Sequence, residues 1–215
     1  MTKESILLIH SIIGILVFIT GLLQIILKKG GNIHRIIGQI YLYAWLFLLI
    51  SGAYLGGLLI TIIGIFGFYF TLTGSRIGRL KGNEMTLFDK AIFILGLLIG
   101  TIMLFYAIKL FLKGDQSFAI IFTVFGGLFL MQSIQDLYKY ILNKPLKKQI
   151  YGKLDWYFEH FTRMYISFIA SITAFTSIQN LFKNNTLNFL MPTVVGFIAI
   201  ILVTKSYKKK FGLGN

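Results

Sequence analysis

The sequence predicts an all-α fold, a bundle of seven transmembrane helices that forms one integral membrane domain. Hydrophobic residues make up 56% of the 215-residue chain and charged residues only 13%, whereas a typical soluble domain carries roughly 25% charged residues. The apolar residues fall into runs close to the ~20 residues that a helix needs to cross a hydrocarbon core. These runs lack the strict alternation of apolar and polar residues that marks transmembrane strands.

The predicted spans follow one another through short connections. The first run exceeds the apolar core of a cleavable signal peptide, which is about 7–15 residues, so we expect it to remain as a span. Gly56 and Gly57 separate the second run from the third, and residues 113–116 separate the fourth from the fifth. Neither connection has room for a soluble domain. The seven spans cover approximately residues 5–27, 36–55, 58–77, 88–112, 117–142, 156–182 and 187–207.

The distribution of lysine and arginine predicts how the chain is oriented. Sixteen of the 21 basic residues lie on one side of the predicted bundle, which we call the basic end, and only four lie on the other side. Short loops rich in Lys and Arg stay in the cytoplasm, so the bias predicts an outer N-terminus and a cytoplasmic C-terminus. The sixteen are Lys28, Lys29, Arg35, Arg76, Arg79, Lys81, Lys90, Lys139, Lys144, Lys147, Lys148, Lys153, Lys205, Lys208, Lys209 and Lys210.

The charge and the composition also restrict the class of protein and its partners. The net charge of +14 is explained by residues beside the spans, so we expect anionic lipid in a bacterial-type cytoplasmic membrane and no nucleic acid as partner. The chain has no cysteine, which excludes disulfides, thiolate metal sites and iron–sulfur clusters. The sequence also lacks the metalloprotease, nucleophile-elbow and phosphate-loop motifs. No enzyme class is indicated by a motif.

Ionisable side chains lie inside several of the predicted spans, mostly near the basic end. Such residues are costly in a membrane and are functional candidates by default. We therefore predict that they converge in one cytoplasm-facing site for a small ligand or cofactor. The predicted ligand- or anion-binding residues are Arg35, Arg76, Asp136, Glu159 and Arg163. The predicted haem or metal ligands are His34 and His160, with His10 as a separate candidate near the outer side.

Each candidate also has a simpler interpretation. His34 and Arg35 would serve equally as an interfacial anchor. Asp136 would serve as the charge partner of Arg163 or of Arg76, and His10 as a hydrogen-bonded contact between helices. The site hypothesis requires His34 and His160 to face the bundle interior within one helix diameter of each other, about 10 Å.

Two motifs carry a family resemblance. Residues 31–41 follow the pattern G-x-x-H-R-x-x-G-x-x-Y, and residues 160–175 are HFTRMYISFIASITAF. Together with a histidine early in the first span, they resemble a family of small predicted bacterial polytopic membrane proteins, known as a domain of unknown function. The resemblance covers most of the chain and implies no activity. It implies that the family pattern includes His10, His34, Arg35 and His160.

Four functions are compatible with these residues. The first is redox chemistry, with b-type haem held by His34 and His160, or with a quinone; three histidines allow at most one bis-histidine haem. The second is a divalent metal held by the same histidines with Glu159 and Asp136. The third is transport or sensing of a small molecule through a cytoplasm-facing polar cavity. The fourth is a non-catalytic assembly factor, in which the polar residues only specify packing.

Overall fold

The computed structural model describes residues 2–144 and 151–213, and within them it confirms seven helices. Each is long and apolar enough to cross a membrane, so the chain is a multi-pass integral membrane protein. Lys147 and Lys148 lie outside the described residues. The helices are α1 (Lys3–Ile26), α2 (Asn32–Leu58), α3 (Ile60–Leu80), α4 (Leu87–Leu112), α5 (Gln116–Ile141), α6 (Gly152–Gln179) and α7 (Asn185–Lys210).

The connection between α2 and α3 is a break at a single glycine. Helical hydrogen bonding is continuous enough to join Asn32–Leu80, but Gly57 interrupts it with φ 69° and ψ −170°. Only glycine adopts this region of backbone conformation without strain. Gly57 therefore reverses the chain, and the two predicted spans form a tight hairpin at the end opposite the basic end.

The helix ends differ from the predicted ones by up to four residues. The second helix begins at Asn32 after the N-cap Gly31, which places His34 in its first turn instead of before it. The sixth helix stops at Gln179 because Asn180 takes a left-handed conformation, with φ 49°, which favours asparagine and ends a helix. Apolar periodicity does not contain these capping signals, so it misplaces the ends.

Helix α6 contacts α1, the α2–α3 hairpin and α7. Helices α4 and α5 form a second closely packed pair. Glycines allow this approach: a Cβ atom added at Gly100 would lie 2.9 Å from the backbone nitrogen of Leu130, and one at Gly126 would lie 3.0 Å from Cβ of Met103. Backbones that pack this closely gain dispersion contacts, which hold helices together where lipid removes the hydrophobic driving force.

Large apolar side chains cover the outer surface of the bundle. Ile15 is 61% exposed and Phe105 is 73% exposed, which would be unfavourable in water but suits hydrocarbon. The interior between α3 and α5 is aromatic, with the ring of Phe129 lying 4.6 Å from that of Tyr69 and 5.6 Å from that of Phe66, centre to centre. The ion pairs among the described residues lie at one end of this packed core, the basic end.

Candidate functional site: a histidine pair beside a buried ion pair

His34 and His160 lie side by side at the basic end. Their ring centres are 6.4 Å apart and their ring planes are inclined by 77°. Helices α2 and α6 both begin at the basic end and run parallel, so the next contact follows seven residues later on each helix. There the hydroxyl groups of Tyr41 and Ser167 are 2.9 Å apart. The two histidines thus lie within one helix diameter of each other, about 10 Å.

The ring of His160 is held by the backbone of α3. Its Nδ1 atom donates to the carbonyl oxygen of Gly74 over 2.8 Å, and because a carbonyl only accepts, Nδ1 carries the hydrogen. In the neutral ring this leaves Nε2 with a free lone pair. The ring approaches α3 this closely because Gly78 has no side chain: a Cβ atom there would lie 2.5 Å from Nδ1.

His34 is fixed through its backbone, and its ring is less completely paired. Its carbonyl oxygen accepts a hydrogen bond of 2.7 Å from Nε2 of Gln24, which joins α1 to α2. Its Nδ1 atom is buried and has no hydrogen-bond partner in the part of the chain that the structure describes. A buried polar atom without a partner costs free energy until water or a ligand supplies one. The pair therefore offers two ring nitrogens to a ligand.

Two basic residues, Lys29 and Arg35, lie near the histidine pair. The ammonium group of Lys29 donates to the carbonyl oxygens of Gln24 and Ile25 at the end of α1, and burial lowers the pKa of Lys29. Arg35 is exposed in the first turn of α2. Lys29 is thus committed to the end of α1, whereas Arg35 is open to solvent or lipid headgroups.

Asp136 and Arg163 form a buried ion pair between α5 and α6, and each is only 2% exposed. Both terminal nitrogens of the Arg163 guanidinium donate to the carboxylate, Nη2 to Oδ1 and Nη1 to Oδ2, the latter over 3.1 Å. Tyr69 also donates to Oδ2 over 2.9 Å, and Gln132 to Oδ1 over 3.1 Å. Nη1 of Arg163 has a further partner in the hydroxyl of Thr73, 3.0 Å away. The carboxylate accepts four hydrogen bonds, so it joins helices and offers no free oxygen to a ligand.

Arg76 does not join this group but pairs with Asp89. Its Nε donates to Oδ1 over 2.6 Å and its Nη2 to Oδ2 over 2.9 Å. Asp89 also accepts from the backbone and hydroxyl of Thr86, with which it forms a capping box at the start of α4. We did not predict Asp89 as a partner. The sequence signal was the spacing T-x-x-D before an apolar run.

Glu159 is also committed to a contact between α5 and α6. It accepts from Lys139 and from the hydroxyl of Tyr140, and Asp155 lies 3.8 Å from the same lysine. Among the residues described, no three histidine or acidic side chains come together as metal ligands. Four of the seven residues predicted at the basic end therefore belong to three separately paired groups, namely Asp136 with Arg163, Arg76 and Glu159. Arg35 is exposed, and His34 and His160 are the two that lie side by side.

His10 lies at the other end of the bundle. Its Nδ1 is 2.7 Å from the hydroxyl oxygen of Ser51. That hydroxyl already donates to the carbonyl oxygen of Phe47, so His10 is the donor. The bond joins α1 to α2 and pairs Nδ1 of His10 without a ligand.

Sequence reasoning missed the two glycines of α3 that carry the contact with α6. Gly74 and Gly78 form a G-x-x-x-G pattern, which is typical of helices that pack closely in membranes. A Cβ atom at Gly74 would lie 3.0 Å from Cβ of Arg163. The pattern was present in the sequence and would have located the surface on which His160 and Arg163 lie.

No family model, curated protein or solved structure matches this chain. The resemblance to a family of polytopic membrane proteins therefore stays a prediction.

Proposed function

We propose that this membrane protein binds a small cofactor between His34 and His160, and that the cofactor is a b-type haem. The observation that carries the proposal is the separation of the two rings, 6.4 Å between centres. Two imidazoles that bond one metal from opposite sides, with bonds of about 2 Å, place their ring centres roughly 6 Å apart. Packed rings also reach this distance, so the support comes from the distance together with the buried, unpaired Nδ1 atom of His34 among the described residues.

The number of protein ligands favours haem over a bare metal ion. Two histidines converge, and in the described part of the chain no third histidine or acidic residue joins them as a ligand. A protein-only metal site usually has three or four such ligands. A porphyrin supplies four nitrogens of its own and needs only the two axial positions.

The surroundings of His160 agree with the role of a ligand. Metal-bound histidines commonly donate their second ring nitrogen to a backbone carbonyl, which fixes the ring and raises its basicity. His160 makes such a bond to Gly74. Arg35 is exposed at the same end and suits the propionate groups of a haem. A bound haem supplies one-electron redox chemistry, while the chain holds the iron and sets its potential.

Visible absorption spectroscopy tests the proposal. The full chain is expressed with a haem precursor, purified in detergent, and measured before and after reduction with dithionite. We expect a Soret band that shifts on reduction in the natural protein. His34→Ala and His160→Ala should each abolish the six-coordinate spectrum, and His10→Ala is the matched control that should keep it.

Imidazole rescue separates the loss of a ligand from the loss of the fold. If His160 is a ligand, free imidazole should restore the six-coordinate spectrum of His160→Gly, because it refills the vacated position. A colourless natural protein overturns the haem proposal, as does a haem spectrum that survives both His34→Ala and His160→Ala.

A further inference from the structure

We infer that Arg163 and Asp136 are positioning residues for His160, because their ion pair holds α6 in the one register that turns Nε2 of His160 toward a ligand. The inference rests on the proposed function, since it assigns a purpose to that free nitrogen. It concerns a different group of residues, none of which would touch the cofactor iron.

One short segment of α3 receives both side chains. Arg163 follows His160 by three residues, so the two lie on the same side of α6. Arg163 donates to the hydroxyl of Thr73, and His160 donates to the carbonyl of the next residue, Gly74. Rotating α6, or sliding it by one residue, would break both bonds together.

The ion pair supplies the second point of attachment. Arg163 reaches past α3 to Asp136 on α5, so α6 is fixed against two neighbours at once. Both partners are buried, and Asp136 is held in place by Tyr69 and Gln132. A planar guanidinium that is bonded through both terminal nitrogens permits little rotation relative to the carboxylate. The rotation of α6 about its own axis is thereby fixed close to His160.

The glycines of α3 determine how close the contact is. At Gly74 an added Cβ atom would lie 3.0 Å from Cβ of Arg163, and at Gly78 it would lie 2.5 Å from Nδ1 of His160. Close approach is what brings Nδ1 within bonding distance of the carbonyl. The glycines set the distance and the ion pair sets the register.

Stability alone does not account for a charged pair at this position. Apolar side chains of similar volume often replace a buried ion pair without loss of stability. Such pairs are best attested where they specify one register among several. Here the register decides which nitrogen of His160 carries the hydrogen, and with it which nitrogen can bind iron.

Nuclear magnetic resonance of ring-¹⁵N-labelled histidine tests the inference. The chain has only three histidines, so His→Ala variants assign the signals. Measurements on the full chain after dithionite reduction avoid paramagnetic broadening, since low-spin ferrous haem is diamagnetic. We expect His160 to carry its hydrogen on Nδ1 in the natural protein.

The decisive variant is Arg163→Met combined with Asp136→Leu, which removes both charges and leaves none unpaired. We expect it to fold, to lose the single Nδ1–H form of His160, and to bind haem about 10- to 100-fold more weakly, the usual effect of losing an interaction that orients a ligand. Asp89→Asn is the matched control, because it changes the other Arg–Asp pair and should leave His160 unchanged.

Gly78→Ala gives an independent check, since it displaces His160 without touching the ion pair. It should alter the His160 signal, whereas Gly127→Ala should not, because no atom lies within 4 Å of a Cβ atom added there. A folded double variant whose His160 signal and haem affinity are unchanged overturns the inference while haem binding stands. A colourless natural protein overturns the proposed function, and the His160 signal of the variants then still decides whether the ion pair positions this ring.

Discussion

The two ends of the bundle use histidine in opposite ways. At the end opposite the basic end, Nδ1 of His10 donates to Ser51 over 2.7 Å, and the bond explains the residue as a helix contact. At the basic end, Nδ1 of His34 is buried without a partner among the described residues, 6.4 Å from the ring of His160. His10 and His160 each donate from Nδ1, so the difference between the ends lies in His34, whose unpaired Nδ1 atom beside a second histidine gives the basic end a reason to bind a ligand.

The two ends also differ in the kind of polar contact that holds the helices. All four ion pairs found among the described residues lie at the basic end. The opposite end is joined by neutral groups, such as Asn188, which donates to Asn180 and accepts from Thr176. Unpairing a buried charge costs far more than unpairing a neutral group, so the two ends should respond very differently to a single substitution.

Arg163→Ala is expected to have the largest effect. It leaves the Asp136 carboxylate buried and unneutralised, which should cost about 3–5 kcal/mol of unfolding free energy. Thermal unfolding in detergent, followed with the monodisperse fraction in size-exclusion chromatography, measures the loss. The double substitution Arg163→Met with Asp136→Leu should recover most of it. If the double variant is as unstable as the single one, lost packing is the cause and the contrast between the ends is not one of charge.

Arg76→Ala should cost less, although it also breaks an Arg–Asp pair at the basic end. The Arg76 side chain is 24% exposed, so water partly replaces it, and Asp89 keeps its bonds from Thr86. We expect a loss of about 1.5–3 kcal/mol, that of a hydrogen bond to a charged group. The same thermal assay, run beside Arg163→Ala, gives the ranking. An equal loss in the two variants would show that exposure does not separate the pairs.

The seven helices were predictable because length and apolar composition alone decide whether a segment crosses a membrane. The ends were not, since Gly31 and Asn180 act through capping and backbone conformation instead of hydropathy. The connection at Gly57 was predictable only in part. The glycine pair marked a connection, but only the backbone angle of Gly57 reveals a reversal without a loop.

The candidate site was predictable as a set of residues but not as a set of pairs. A carboxylate inside a span predicts a cationic partner for Asp136, but the sequence does not distinguish Arg163 from Arg76. The choice depends on which helices pack against α5. The bond from His160 to Gly74 could not be anticipated, because a backbone acceptor has no signature in the side-chain pattern. Asp89 was not predicted as the partner of Arg76 for a different reason. It is the N3 residue of a capping box with Thr86, a role that explains an acidic residue at this position without any cation.

Asn188→Ala tests the neutral contacts at the opposite end. The side chain donates to Asn180 over 2.7 Å and accepts from the backbone of Phe182 over 2.9 Å. Hydrogen bonds inside membrane proteins average about 0.6 kcal/mol, so two of them should be worth roughly 1 kcal/mol. The thermal assay should show a loss smaller than that of Arg76→Ala. A loss as large as that of Arg163→Ala would remove the difference between the ends.

His10→Ala should have the smallest effect, and it sharpens the comparison between the histidines. One neutral hydrogen bond is lost, worth about 0.6 kcal/mol in a membrane, and Ser51 keeps its bond to Phe47. A double-mutant cycle with Ser51→Ala isolates that bond, and the coupling should be no greater than the single loss. The absorption spectrum should stay unchanged, because His10 lies at the end of the bundle opposite His34 and His160. A spectrum altered in His10→Ala as strongly as in His34→Ala would mean that both ends of the bundle contribute to one site.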